Sequence, residues 1–303
     1  MSFRTYHEVA GTDRSDLMSQ VLAQRDLVAK RLESVRRVVA VMSGKGGVGK
    51  SYVTAAVASA AARALAGGGG GGGGGGRVGG VGGVGGVGVL DADLRSPTVA
   101  RLLGATGPLR VGEDGVEPVV GRGGVLVVST DLLLDEGQPL KWNEPDHERF
   151  VWRGLLEAGT LREFLSDVVW GRLDLLLIDL PPGADGVIDL LELVPNLAGA
   201  LIVTIPSEES RRSVARTMRS ATNAGIPILG VVENMSGYLC ASCDTPGSLF
   251  EGDAGADLAR EFDVPLIGRI PFAPGGRGGA DPAVAEATQP VRDLVDLCLG
   301  EVS

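Results

Sequence analysis

The chain has little with which to cross-link itself. Its three cysteines, Cys240, Cys243 and Cys298, cannot make a disulfide framework, and a close pair of them points instead to metal or redox chemistry. Long apolar runs are also missing, so no segment is expected to cross a bilayer. The opening residues MSFRTYHEVAGTDRSD are polar, without an apolar core of signal-peptide length, which leads us to expect a cytoplasmic protein with no membrane partner. Basic residues are outnumbered, 28 against 38 acidic, for a net charge of −10. That balance argues against nucleic acid as a partner, because general phosphate-backbone binding needs a basic footprint. Lysine is the scarcest charged residue. Only Lys30, Lys45, Lys50 and Lys141 occur, and two of these four fall in one glycine-rich segment, the first pointer to a site.

What remains is ordinary for a globular protein. Hydrophobic residues make up 44% and charged residues 22% of 303, enough for two domains or one large α/β sheet. Short apolar runs at 38–43, 87–93, 125–129, 175–180, 200–205, 228–234 and 266–270 alternate with helical patterns at 50–65, 154–169, 207–224, 254–262 and 282–299. Near-continuous β-rich runs suit strands buried on both faces. Their alternation with helices predicts an α/β fold with a doubly wound, mostly parallel sheet. Residues 16–36 read as an amphipathic helix with Leu17, Val21, Val28, Leu32 and Val35 roughly on one face. The expected organisation is an N-terminal helical extension, 1–37, followed by one domain, 38–303. Residues 67–88, with 17 glycines in 22 positions, are low in complexity and read as an insertion in a surface connection.

The strongest signal is VVAVMSGKGGVGKSYVTAAVA. Here Gly44, Lys45, Gly46, Gly47, Val48, Gly49, Lys50 and Ser51 match the P-loop pattern between an expected strand and helix. Glycines let backbone N–H groups cradle phosphates at the helix N-terminus, Lys50 reaches the β/γ-phosphates, and Ser51 can ligate Mg2+. The expected ligand is ATP. Asp91 and Asp93 in VLDADLRSP and Asp179 in LLLIDLPPG fall at strand ends, where carboxylates can hold the magnesium shell and orient an attacking water.

The second lysine makes the loop resemble the deviant Walker A ATPases of the MinD/ParA class. That resemblance implies a homodimer in which Lys45 reaches the partner's nucleotide. It also implies that Asp93 positions the water while Asp91 and Asp179 support Mg2+ through its waters, so the catalytic set would be Lys45, Lys50 and Asp93.

Cys240 and Cys243 form a CxxC in the stretch 236–250. Zinc needs four ligands, and the chain adds only Cys298, His7 and His147. A thioredoxin-type pair is expected to open a helix, whereas this one precedes a Pro/Gly-rich loop. Two cysteines from each of two subunits make four, which suits a [4Fe–4S] cluster.

The order SGKGGVGKS, DADLRSP, VWRG, LREFLSDVVWGRLDLLLIDLPPG, GIPILGVVENMSGYLCASC and VPLIGRIPF is similar to that of the Mrp-type iron–sulfur cluster carrier ATPases over about residues 36–272. The family implies an ATPase that binds a cluster at the boundary of a homodimer and passes it to apo iron–sulfur proteins, and that contacts adenine through Asn234. The chain departs from the pattern in the glycine tract, in 136–150, in the tail after Phe272 and in the ADG that follows DLPPG. Two other readings stand beside it. One is a partitioning or positioning ATPase, supported by Arg211, Arg212, Arg216 and Arg219 on one expected helix; the other is a zinc-stabilised scaffold.

Overall fold

The computed structural model describes residues 17–67, 86–133, 160–183, 188–191, 194–239, 246–272 and 288–300. Its frame is a nine-stranded sheet of order β10-β9-β8-β1-β7-β2-β6-β5, with β11 on the outer side of β9. The strands that matter for the site are β1 (Val38–Met42), β2 (Val87–Asp91), β7 (Leu175–Asp179), β8 (Leu197–Thr204) and β9 (Ile228–Leu239). Neighbouring strands run parallel, as the buried, unalternating runs require. Among the described residues, antiparallel pairs in this sheet occur only at its margins: β5 (Val119–Val120) on β6 (Leu126–Val128), and β10 (Pro246–Gly247) on β9.

Every residue of β1, β2 and β7 is buried, and the two-residue period of a strand divides them between two cores. Val38, Ala40 and Met42 face one core with Leu176 and Ile178; Val39 and Val41 face the other with Leu175 and Leu177. Helix α1 (Leu17–Leu32) joins the first core through Val28 and Leu32, and α2 (Lys50–Gly67) fills the second with Val53, Ala56, Val57 and Ala61. Between β2 and β7 come the single turn α3 (Val99–Leu102), the hairpin of β3 (Arg110–Val111) and β4 (Val116–Glu117), and α4 over 160–167. Beyond β7 lie α5 (Ile188–Leu191), α6 (Glu208–Asn223), α7 (Ala254–Glu261), β11 (Leu266–Phe272) and α8 (Gln289–Leu299).

Several boundaries differ from the sequence expectation. Helix α1 stops at Leu32, and Val35 instead forms a parallel bridge with Leu173, ahead of the first β1–β7 pair in the middle of the sheet. The glycine tract overreaches at its C-terminal end: Val87 and Gly88 belong to β2, and a Cβ on Gly88 would sit 2.7 Å from Leu173 and 3.0 Å from Trp170. That glycine is therefore a packing requirement, not filler. Strand β9 continues five residues past the expected end at Asn234, to Leu239. Residues 68–85 of the tract, residues 136–159, the ADG run, the cysteine pair and 273–287 lie outside the described residues. No helix among those described is long and apolar enough to cross a membrane.

Candidate functional site

The ends of β1, β2, β7 and β9 converge on one loop. After Met42 the chain leaves β1, turns through Gly44–Gly49 and enters α2 at Lys50. Gly47 and Gly49 take φ of 81° and 80°, left-handed values that glycine adopts without a Cβ penalty. Gly44 is required for a different reason. A Cβ there would lie 2.3 Å from the backbone of Ser213 and Val214 on α6, and Ser213 Oγ donates to the Gly44 carbonyl at 2.5 Å. On the other side Asn234, 4% exposed, donates from Nδ2 to the Val48 carbonyl at 2.9 Å and leaves no room for a side chain at Gly49. The loop is thus braced from α6 and from β9.

Inside it lies a buried polar cluster. Lys50 Nζ and Ser51 Oγ both donate to Asp179 Oδ2 at 2.6 Å, and Thr54 Oγ1 lies 2.6 Å from Asp179 Oδ1. Lys50 is 6% exposed, and Asp179 and Thr54 are fully buried. Such a pair tolerates burial only because each charge has its counter-charge and Asp179 has further donors. Asp91, also fully buried, takes a separate set of donors. Its Oδ2 accepts from the Thr98 and Val99 N–H groups and from Ser129 Oγ, and its Oδ1 accepts from the Asp93 N–H. Burial, and after it the charge of Asp179, push the Asp91 carboxyl up to about 7, against the pull of Val99 N–H, Lys50 and Thr98 N–H. Asp93 is half-buried and accepts from the Ser96 N–H through Oδ1. Lys45 is partly exposed on the loop, and its ammonium forms no ion pair among the described residues.

The expected site residues Gly44 to Ser51, Asp91, Asp93, Asp179 and Asn234 are therefore gathered at one end of the sheet. Cys240 and Cys243 lie outside the described residues, although Leu239 pairs with Pro246 and so brackets them. Among the described residues no group of three or more His, Cys, Asp or Glu is placed to hold a metal ion. Two contributors were missed. Thr54 sits one turn beyond Lys50, a spacing legible in the sequence. Ser213 is 169 positions from Gly44 and carries no local signal.

The four arginines of α6 line one recess of about 330 Å³ together with Ser220 and Asn223. Their charge is largely answered on the spot. Glu208 pairs with Arg211 and Arg212, and Glu261 with Arg211 and Arg219. Hydrogen bonds from Arg211 and Arg212 hold the exposed Glu208 carboxyl down at about 2.

Comparison with known proteins places this geometry. A family model for the ParA-type NUBPL iron-transfer P-loop NTPases matches residues 83–292. An iron-sulfur cluster carrier protein of Methanocaldococcus jannaschii is 36% identical over 269 residues, 88% of this chain and 83% of that one. The cytosolic Fe-S cluster assembly factor NUBP2 of Bos taurus is 35% identical, covering 87% and 86%. Among solved structures, a nucleotide-binding protein of Archaeoglobus fulgidus in complex with ADP is 32% identical, covers 90% of this chain and 92% of its own, and superposes with a TM-score of 0.63. The cell division ATPase MinD of Pyrococcus furiosus, 22% identical with a TM-score of 0.51, shares the fold.

Proposed function

Because this chain belongs to the NUBPL-type iron-transfer P-loop NTPases, we propose that it is an ATP-hydrolysing carrier that takes up an iron–sulfur cluster and delivers it to apo iron–sulfur proteins. The observation that carries the nucleotide half is the convergence of Lys50 and Ser51 on Asp179 at 2.6 Å beneath the P-loop. The donors there are hydroxyl and carboxylate oxygens, the hard ligands that magnesium prefers. Magnesium would neutralise phosphate charge in this site. The loop amides from Gly44 to Gly49 would cradle the phosphates, Lys50 would pair with the β/γ-phosphates, and Ser51 would be the direct metal donor. Asp179 and Asp91 would support the metal, Asp93 would orient the attacking water, and Asn234 would contact the adenine base. Lys45, free of carboxylates on its own side, is available to reach the nucleotide of a second copy.

The cargo half belongs to Cys240 and Cys243. In this reading a homodimer supplies four thiolates, one per iron of a [4Fe–4S] cluster. Strand β9 supports a route between the halves. Asn234 touches the P-loop, and Met235, with a φ of 54°, is held in a conformation that non-glycine residues seldom adopt. There the ladder to β11 slips, Ile270 pairing with Asn234 and Phe272 with Tyr238, and the strand then runs on to Leu239, next to the first cysteine. Residues 1–37 are read as an extension and 38–303 as the ATPase domain, acting in the cytoplasm. The partitioning reading loses its support, because Glu208 and Glu261 answer three of the four arginines that suggested it.

Anaerobic reconstitution with iron and sulfide, scored for metal per dimer by sedimentation and iron analysis, tests the proposal. Four irons per dimer, lost in Cys240→Ser and Cys243→Ser and kept in Cys298→Ser, is the expected result. A cluster on monomers, or zinc bound in place of iron, would overturn it.

A further inference from the structure

Among the described residues Asp179 has three side-chain partners, and only two of them belong to the P-loop's phosphate and metal chemistry. Lys50 and Ser51 share its Oδ2, while Oδ1 meets, among the described residues, Thr54 Oγ1 alone at 2.6 Å. Thr54 follows Lys50 by one helical turn on α2, which puts both side chains on the face that looks at β7. Its hydroxyl also lies 3.1 Å from the Lys50 carbonyl, but it has one proton to give. The shorter, charge-assisted contact to a carboxylate is the stronger claim on it.

From this we infer that Thr54 is a positioning residue: it holds Asp179 through Oδ1, so that Oδ2 stays aimed at Lys50 and Ser51. The inference rests on the ATPase reading above. Its physical content is that Lys50 and Ser51 are released from Asp179 when phosphate and metal claim them, whereas Thr54, fully buried and bonded to β7 through Asp179, is not. Without that hydroxyl Oδ1 has no donor in a dry site, and the carboxylate is free to rotate or to take up a proton. Partners of this kind, which orient a metal-supporting group without touching the metal, typically contribute about 10–100-fold to metal affinity or activity.

Thr54→Val keeps the shape and removes the donor; Thr54→Ser restores the donor with less bulk. Fluorescent ADP binding is measured on the full chain across a magnesium titration and, in parallel, in EDTA. The expected result for Thr54→Val is a rise of about tenfold in the magnesium concentration needed for half-maximal tight binding, with affinity in EDTA unchanged and Thr54→Ser close to the parent. Thermal melts in EDTA separate a general loss of folding from this effect. An unchanged magnesium requirement in Thr54→Val, or a loss of equal size with and without magnesium, overturns the inference. If the parent shows no magnesium-dependent binding, it is the ATPase reading that fails.

Discussion

Two sets of ion pairs in this molecule have nearly the same contact distance and opposite meanings. Lys50 meets Asp179 at 2.6 Å with side-chain exposures of 6% and 0%; Arg212 meets Glu208 at 2.9 Å with exposures of 76% and 50%. The first pair has surrendered its hydration, so it persists only where the surrounding structure holds it and where a function rewards keeping charge in a dry place. The second keeps its water and is screened by salt. Distance alone does not find a site, whereas burial together with convergence of several donors does. The same contrast explains why the arginine recess on α6 does not rival the P-loop as a candidate, although it holds more formal charge.

The widest separation between the two regions is expected from removing one cation from each. Lys50→Ala should cut ATP turnover by at least about 10²–10³-fold and, by stranding Asp179, destabilise the nucleotide-free protein by about 3–5 kcal/mol, less whatever Asp179 regains by protonation. Arg212→Ala should leave both turnover and the melting midpoint at parental values. Steady-state hydrolysis and thermal melts on the two variants make the comparison, and equal losses would break it.

A smaller effect separates the two parts of the glycine tract. Gly88→Val forces a branched side chain against Trp170 and Leu173 and should destabilise by about 1–3 kcal/mol. Replacing residues 68–85 by a short turn should leave nucleotide affinity intact, since loop closure depends only weakly on length. Chemical denaturation and ADP titration read the two outcomes.

Asp91 gives a pH signature. Its carboxyl is raised from 3.8 to about 7 in the folded protein, so the folded state binds this proton more tightly than the unfolded one. The stabilisation that results is complete below about pH 4 and is lost as pH rises through 7. The parent, free of nucleotide, should therefore lose more melting temperature between pH 5 and pH 8 than Asp91→Asn does; parallel profiles would show that Asp91 does not titrate there. The least change is expected at Cys298, fully buried with its thiol pushed up to about 12 by burial. In a Cys240→Ser/Cys243→Ser double variant, a thiol reagent at pH 8 should find no reactive group until the protein is unfolded.

Much of this was legible in the sequence where the signal is local. The P-loop from Gly44 to Ser51 carries its own context, strand before and helix after, and the buried runs of β1, β2 and β7 announce a parallel sheet. Asp91 and Asp179 were placed correctly at strand ends, but their difference was not visible: Asp179 turns to Lys50, whereas Asp91 is tied by the amides of Thr98 and Val99, and only the chain's path decides that. The brace of Ser213 on Gly44 joins positions far apart in sequence and leaves no periodic trace. Gly88 was hidden because a glycine that packs under Trp170 looks, in a run of glycines, like all the others. The length of β9 past Asn234 was hidden as well, because Glu233, Asn234, Ser236 and Gly237 break the apolar pattern that marks a strand while its pairing with β11 and β10 carries it on to Leu239.

The central claim, that this P-loop ATPase carries a cluster on Cys240 and Cys243 for delivery, is tested most directly by transfer itself. Protein reconstituted with radioactive iron and sulfide is mixed anaerobically with an apo [4Fe–4S] enzyme, with and without MgATP and in the presence of an iron chelator, and recipient activity is followed together with the label. The account predicts chelator-resistant transfer from the parent, none from Cys240→Ser or Cys243→Ser, and a MgATP dependence that Lys50→Ala abolishes. Label that reaches the recipient equally well from the cysteine variants, or only when the chelator is left out, would contradict it.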